Sequence, residues 1–259
     1  MQSDRLNQLY LENDIWGDIK PGTRSARIGI VFEQFINEIF SSKPYLEHLL
    51  KSPNAEIEQK LIGDLFDYLG ITISDISRIG TIEWRARGPN GGPAKTDVLL
   101  RIKEFGKRPY MCALSSKHSS KPRVSFAEFD TDTIVGGVGI TDPATIALIR
   151  KHQMELSAKN FSEDEKRQLT NGLKPHRRAF VRWVITGSSA KRKRDEAIPE
   201  ALMRIAVGDV TNGFWPVGAG VVSVEEYIDI VLKRRGGFGT GLSWTYQKQS
   251  RDKCIQFKC

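Results

Sequence analysis

The feature that most constrains the fold is residues 94–120, AKTDVLLRIKEFGKRPYMCALSSKHSS. Two apolar runs flank a polar stretch around Gly106, and this pattern predicts a β-hairpin. With the turn at that glycine, Asp97 lies opposite about Ser115. Because alternate residues of a strand point to one face, we expect Asp97, Ser115 and Lys117 to project together. The opposite face takes an apolar set that suits a core: Val98, Leu100, Ile102, Cys112 and Leu114.

A carboxylate and an ammonium on one face suit phosphodiester hydrolysis. Asp97 can hold a hard divalent cation such as Mg²⁺, which takes few protein ligands and keeps several waters. The cation would polarise the phosphate and lower the pKa of a bound water. Lys117 can orient that water and offset charge that develops on phosphorus. Geometry alone leaves an alternative equally open, which is a structural Asp–Lys pair on a half-exposed sheet.

Residues 24–42 show helical spacing of apolar side chains, and Glu33 lies at the margin of the apolar arc. A carboxylate at that margin either faces a cleft beside the core or is an ordinary boundary glutamate. Spacing alone favours the ordinary glutamate.

The rest of the chain gives a mixture of helix and strand signals. We predict helices over 55–69 (ending at Gly70), from Ser125 (capping box with Glu128), and over 142–158, 162–174 and 222–235. Residues 179–188 alternate and are β-rich, which predicts a strand. Residues 86–95 and 191–196 predict a loop and an exposed turn, and the last eighteen residues predict two short strands around a basic turn. GGFGTG at 236–241 follows a helix and precedes a strand, the reverse of a nucleotide-binding loop, so we interpret it as a tight turn or a close approach to a DNA backbone. One α/β domain is the simplest interpretation.

Charge and composition indicate what class of partner the protein binds and in which cellular compartment it acts. Lys and Arg number 39 against 31 Asp and Glu, a net charge of +8, which suits a polyanionic partner or is only a basic surface. The chain shows neither an apolar run of membrane-spanning length nor a signal peptide. Three scattered cysteines fit a reducing cytoplasm.

The motifs resemble a known family of nucleases. A carboxylate on one strand, a polar-x-Lys on the next and a preceding helix with a Glu are similar to the PD-(D/E)xK nuclease core. The segments KTD, KHSSKPRVSFAEFD, GVGI, IRKHQ and GFGTGLSWTY…QFK resemble MspI-like type II restriction endonucleases, in the same order from about residue 24 to the C-terminus. The resemblance implies a mixed central β-sheet flanked by helices. It also implies Mg²⁺-dependent cleavage of double-stranded DNA within CCGG, after the first C.

The resemblance assigns roles to the polar face of the hairpin. Asp97 corresponds to the metal-binding aspartate and Lys117 to the catalytic lysine, and Glu33 would complete the metal site. Ser115 stands where the family has asparagine and the wider superfamily has Glu or Asp. A hydroxyl is a weaker metal ligand than a carboxylate, so we expect Ser115 to act through water and a single Mg²⁺ to bind.

The same resemblance implies which residues contact DNA. Base readers would be Ser125, Thr245, Gln256 and Lys258, and Lys suits guanine O6 and N7. Lys248 stands where the family has serine, so the recognition sequence can differ. Apart from the resemblance, charge alone suggests phosphate contacts from basic residues: Lys121 and Arg123 just ahead of the predicted helix N-terminus, Lys191 to Arg194, Arg251 and Lys253. The alternatives are an N-cap role for Ser125 and ordinary strand positions for Thr245 and Gln256.

Together these features predict a restriction endonuclease of one domain, residues 1–259. Its catalytic core would be about 24–190 and its DNA-reading hairpin about 236–259. The resemblance implies DNA binding as a monomer and a methyltransferase that protects host sites. Two alternatives remain: a catalytically inactive DNA-binding protein with a nuclease fold, which Ser115 favours, and a structure-specific repair nuclease.

Overall fold

A computed structural model describes residues 3–15, 17, 21–83, 94–119, 123–190, 195–210, 213–246 and 254–259. The helices are α1 (Asp4–Glu12), α2 (Pro21–Ile39), α3 (Lys43–Leu49), α4 (Glu56–Leu69), α5 (Thr131–Val138), α6 (Pro143–Glu155), α7 (Glu163–Leu173), α8 (Arg177–Thr186) and α9 (Val224–Leu232). The strands are β1 (Ile76–Ile82), β2 (Val98–Glu104), β3 (Tyr110–Ser119), β4 (Ser125–Phe129), β5 (Ala201–Val210), β6 (Gly213–Ser223), β7 (Ser243–Thr245) and β8 (Ile255–Lys258).

The chain divides into two compact units. The first comprises residues 1–86, 94–122 and 194–223, and the second comprises 87–93, 123–193 and 224–259. Each unit has its own sheet. That all 259 residues act as one endonuclease domain stays a prediction.

The first unit is built on a five-stranded mixed sheet in the order β1-β2-β3-β5-β6. β3 and β5 run parallel, and the other neighbours are antiparallel. Helices α2, α3 and α4 pack on this sheet, α2 against β2 and β3 and α4 against β6. The expected α/β fold, a mixed central sheet flanked by helices, is confirmed.

The predicted hairpin has the predicted register. Val98 pairs with Leu114 and Leu100 with Cys112, and Gly106 in the turn has φ 71°. The apolar set of this face is buried in the core. Since pairing alternates faces, the residues before Val98 and after Leu114 start the opposite, polar face.

Helices α2 and α4 follow their apolar spacing. The apolar stripe of α2 is buried: Ile28, Val31, Phe32, Phe35, Ile36 and Ile39. Helix α4 ends at Gly70 in the left-handed conformation, as expected of a C-cap glycine. The predicted helices over 142–158, 162–174 and 222–235 are present as α6, α7 and α9.

The second unit surrounds a three-stranded antiparallel sheet in the order β4-β8-β7. One face of this sheet is apolar. On it the ring of Phe257 lies 5.2 Å from the rings of both Phe180 and Trp244. The predicted pair of short C-terminal strands is therefore present, and a third strand joins it.

The predicted helix start at Ser125 is wrong. Residues Ser125–Phe129 form β4, and Ser125 pairs with Lys258 across the sheet. The helix begins later, where Asp130 caps it by accepting a hydrogen bond from the amide of Thr133. Pairing with a strand more than 120 residues away overrode the local capping pattern. Ser125 is thus no N-cap, and Arg123 precedes a strand.

The predicted strand at 179–188 is also wrong, because this segment lies in α8. Seven consecutive residues, from Phe180 to Thr186, are buried. A helix buried on all sides carries no amphipathic stripe, and its β-branched and aromatic residues imitate a strand.

GGFGTG forms a tight turn after α9. Gly237 and Gly241 have φ of 55° and 80°, and a Cβ at either would overlap with a backbone carbonyl, of Leu242 or Val231 respectively. Glycine is required there for both reasons. Most of the predicted loop at 86–95, of the turn at 191–196 and of the basic turn before β8 lies outside the described residues.

Two adjacent glycines of α5 provide a matched test of the second unit's packing. A Cβ on Gly137 would overlap with the buried indole of Trp183, whereas a Cβ on Gly136 meets nothing within 4 Å. Alanine gains about 0.5–1 kcal/mol over glycine inside a helix, and overpacking costs about 1–3 kcal/mol. We expect Gly136→Ala to be neutral or stabilising and Gly137→Ala to be less stable than it by about 1–3 kcal/mol, measured by urea denaturation. Equal stabilities would contradict the packing of α5 on α8.

Candidate active site and nucleic-acid interface

Three donors converge on one oxygen of Asp97. Ser115 Oγ lies 2.9 Å from Asp97 Oδ2, the amide nitrogen of Ser116 lies 2.7 Å from it, and Lys117 Nζ lies 3.2 Å from it. Among the described residues no donor reaches Oδ1 of Asp97. The carboxylate is therefore held firmly through one oxygen while the other stays available to a ligand.

The hairpin register produces this convergence. The amide of Asp97 donates to the carbonyl of Leu114 over 2.8 Å, which extends the β2–β3 ladder by one residue and sets Asp97 beside Ser115. The sequence predicted the grouping of Asp97, Ser115 and Lys117, and the structure brings them together. The backbone amide of Ser116 is a further donor that side-chain patterns do not indicate.

Two contacts restrain the ammonium group of Lys117. Besides its ion pair with Asp97, it donates to the carbonyl of Ser116 over 2.9 Å. The side chains of Lys117 and Asp97 keep 21% and 23% of their exposure. Both charges therefore remain accessible from solvent, as catalytic groups must be.

Glu33 joins the site from α2. It is half-buried, and burial, then the charge of Asp97, raises the pKa of its carboxyl, while Lys117 acts in the opposite direction. No described side chain donates a hydrogen bond to this carboxylate. An ordinary boundary glutamate would be solvated or paired, whereas Glu33 is held in the field of a second carboxylate.

Lys95 is a residue at this site that the sequence interpretation missed. Burial, followed by the charge of Lys117, lowers the pKa of its ammonium, and Asp97 partly offsets this. The signal was present in the KTD segment, since residues two apart in an extended chain share a face.

His118 belongs to the opposite face of β3, away from Asp97. Its Nε2 lies 2.6 Å from the hydroxyl oxygen of Tyr10, its ring packs on that of Phe32, and burial lowers its pKa to about 4. This neutral imidazole fixes α1 and α2 to the strand.

The donor set fits a hard divalent cation. Asp97 Oδ1 and the Glu33 carboxylate are candidate oxygen ligands to which none of the described residues donates a hydrogen bond, and two carboxylates near each other favour a cation between them. Within the described part of the chain, no group of three or more His, Cys, Asp or Glu side chains could hold a metal ion. Two protein carboxylates suit Mg²⁺, which retains several waters.

A second polar surface lies on the three-stranded sheet of the other unit. Cross-strand pairs share a face, and so do residues two apart on β8. The polar face, as we call it, therefore carries two rows of paired residues: Ser125–Lys258–Ser243 and Glu128–Gln256–Thr245. Four predicted base readers thus lie on one face: Ser125, Thr245, Gln256 and Lys258.

Hydrogen bonds organise this polar face. Thr245 Oγ1 lies 3.2 Å from both oxygens of Gln256, the backbone carbonyl and Oε1. Arg123, a predicted phosphate contact, donates to the hydroxyl of Ser243 beside Lys258. The predicted contacts Lys121 and Lys248, and the basic residues at 191–194, 251 and 253, lie outside the described residues.

Comparisons with known proteins identify the family of the chain. The family described as restriction endonuclease MspI matches residues 11–259. The type II restriction enzyme MspI of Moraxella sp. is 35% identical over 270 residues, and the match covers all of both chains. The chain belongs to the MspI restriction endonuclease family. A crystal structure of restriction endonuclease MspI in complex with its cognate DNA matches with a TM-score of 0.87 and 32% identity, again over the whole of both chains.

Membership in the MspI family makes this protein a type II restriction endonuclease, an enzyme that cleaves DNA. The predicted family is confirmed over nearly the whole chain. Among the described residues, none of the helices is both long and apolar enough to cross a membrane.

The raised pKa of Glu33 predicts how stability depends on pH without metal. Above its folded-state pKa the charged carboxylate destabilises the native state relative to the unfolded chain, and below the unfolded-state pKa of about 4.3 this penalty is absent. We expect Glu33→Gln to increase the free energy of unfolding at pH 7 in EDTA, and this gain to shrink as pH falls. Chemical denaturation between pH 4 and 8 measures it, with Glu47→Gln on the exposed face of α3 as the control. A gain independent of pH would contradict the assignment.

Proposed function

We propose that this endonuclease hydrolyses both strands of double-stranded DNA at a short G·C site, CCGG, in a reaction that requires Mg²⁺ and leaves 5′-phosphate and 3′-hydroxyl ends. The observation that carries the proposal is the convergence of Ser115, Lys117 and the amide of Ser116 on one oxygen of Asp97 beside Glu33. The family supplies the choice of DNA as substrate.

Asp97 and Glu33 would hold the cation. When bound there, Mg²⁺ would supply Lewis-acid chemistry to the scissile phosphate and to the attacking water. The three donors on Oδ2 restrain the Asp97 carboxylate so that Oδ1 keeps a fixed direction. The positive charge of the ion would also remove the cost of keeping Glu33 ionised beside Asp97.

Lys117 would orient the attacking water and stabilise the negative charge that develops on the phosphate. Its ion pair with Asp97 and its bond to the Ser116 carbonyl limit its rotamers, so its ammonium is positioned before DNA binds. Lys95 adds a second positive charge to the same site, which favours a phosphate over a neutral substrate.

Ser115 would act on Asp97 and not directly on the ion. Its side chain is almost fully buried, and its hydroxyl donates to Asp97 Oδ2. In this role serine can replace the asparagine of the family, because both side chains can donate a hydrogen bond to the carboxylate. The substitution thus does not favour the catalytically inactive alternative.

The polar face of the three-stranded sheet would read the bases. Lys258 supplies donors for guanine O6 and N7, and Ser125, Thr245 and Gln256 contribute further polar contacts. Arg123 would contact phosphate, as would Lys121. We propose CCGG as the recognition sequence because these proposed base readers correspond to those of the family. Lys248 in place of serine is the position at which the specificity can differ.

The remaining assignments follow from the family precedent and, for the compartment, from the few and scattered cysteines. The protein would act in the cytoplasm, bind DNA as a monomer and work beside a methyltransferase that protects host DNA.

Incubation with plasmid DNA tests the proposal. With Mg²⁺, discrete fragments whose ends share one sequence support restriction, and EDTA should abolish them. A smear would indicate a nonspecific or structure-specific nuclease. DNA that is bound but uncut would indicate the catalytically inactive alternative.

Lys117→Ala should lower the cleavage rate at least about 10²-fold, because a preorganised cation is lost at the reacting phosphate. Binding of the specific duplex should persist, as measured by fluorescence anisotropy. Lys103→Ala, an exposed lysine on β2, is the control and should cut normally. Loss of binding in step with loss of cleavage would assign Lys117 a structural role.

Lys258→Ala should weaken discrimination at one guanine by about 1–3 kcal/mol. The measurement compares binding of the specific duplex with that of duplexes substituted at single base pairs. Lys233→Ala removes the same charge from the exposed turn after α9 and should weaken all duplexes equally or not at all. An unchanged preference would remove Lys258 from the set of base readers.

A further inference from the structure

Glu128 sits at the exposed end of one row of the polar face, where a carboxylate is unexpected. DNA carries a dense negative charge, so an acidic side chain on a DNA-binding face costs affinity. Glu128 was not among the predicted base readers, yet it accepts a hydrogen bond from Gln256 Nε2 over 2.6 Å. Its position therefore needs a reason other than attraction to phosphate.

That hydrogen bond determines the orientation of the Gln256 amide. An ionised carboxylate can only accept, so the NH₂ group of Gln256 must face Glu128 and Oε1 must face the other way. On that other side, Oε1 lies 3.2 Å from the hydroxyl of Thr245. Gln256 is 8% exposed, so water does not compete freely for these groups.

The amide orientation in turn sets what Thr245 can offer to a base. A threonine hydroxyl has one proton, and the acceptors that the described residues place in its reach are the two oxygens of Gln256. Thr245 therefore presents only lone pairs to a groove. In the present orientation, turning the threonine proton outward would leave its oxygen facing Oε1 with no hydrogen between them. With the amide reversed, the NH₂ group would donate to Thr245, so the proton could turn outward at the cost only of its bond to the Gln256 carbonyl.

We propose that Glu128 is a specificity-determining positioning residue, which fixes the Gln256 amide so that Thr245 can only accept a hydrogen bond from DNA. In the major groove such an acceptor selects an exocyclic amino group, as on cytosine N4, and rejects the O4 acceptor of thymine. The neighbouring row presents the Lys258 ammonium, a donor suited to guanine. Together the two rows would match a G·C pair, because Lys258 would donate to the acceptors of guanine and Thr245 would accept from N4 of cytosine. This inference rests on the proposed function.

The test is Glu128→Gln, which keeps the shape but lets the side chain donate as well as accept. The measurement is equilibrium binding in EDTA. One duplex carries the sequence at which the wild type cuts plasmid DNA, and the others carry that sequence with one G·C pair changed to A·T. We expect the preference for G·C over A·T at one position to fall about tenfold, with the other positions unchanged. Thermal unfolding of the variant should match that of the wild type.

Two further variants separate positioning from a change of charge. Glu155→Gln removes the same charge from the exposed end of α6 and should keep every preference. Thr245→Val removes the hydroxyl and should lose preference at the same base pair, and the double variant Glu128→Gln/Thr245→Val should lose no more than either alone, because both act through one contact.

The outcomes discriminate between the two proposals. If the wild type cuts one sequence and Glu128→Gln keeps all its preferences, this inference is wrong while the proposed function stands. Additive losses in the double variant would also overturn it. A wild type that neither cuts nor prefers any sequence would overturn the proposed function and this inference with it.

Discussion

The acceptance of three hydrogen bonds by one carboxylate oxygen of Asp97 organises the candidate active site. This convergence depends on the pairing register of β2 and β3, because a shift of one residue would turn Asp97, Ser115 and Lys117 to opposite faces. The register is in turn held by the apolar face of the same hairpin, where Val98, Leu100 and Leu114 are buried under α2. The packing of the core and the grouping of Asp97, Ser115 and Lys117 therefore depend on the same register of β2 and β3.

The candidate active site combines two carboxylates with two ammonium groups. Asp97 is paired with Lys117, and Glu33 lies in the field of both without a hydrogen-bond donor of its own among the described residues. Keeping two carboxylates close costs free energy that the proposed cation would offset. Lys95 and Lys117 are the positive groups of this cluster, and they are the residues that we propose to face the phosphate.

The second unit shows the same division between faces. Phe257 and Trp244 attach the three-stranded sheet to α8, and the residues that alternate with them carry the polar groups. β8 is the central strand, so each of its polar residues has a neighbour on both sides. This geometry allows hydrogen bonds within a row to set the donor and acceptor pattern that the face presents. A rigid pattern of this kind is what discrimination between bases requires.

The sequence by itself determined the hairpin, its register, the grouping of Asp97, Ser115 and Lys117, and the helical stripe that carries Glu33. These features follow from local periodicity, which survives in any compact fold that buries the apolar face. Only the tertiary structure decided that Ser125 lies in a strand and that residues 179–186 lie in a helix, since a distant pairing partner and complete burial overrode local preference. It also placed Glu33 and Lys95 beside Asp97 and joined Glu128 to Gln256. Such contacts link segments far apart in the chain or depend on the final backbone path, and no spacing rule within a segment encodes them.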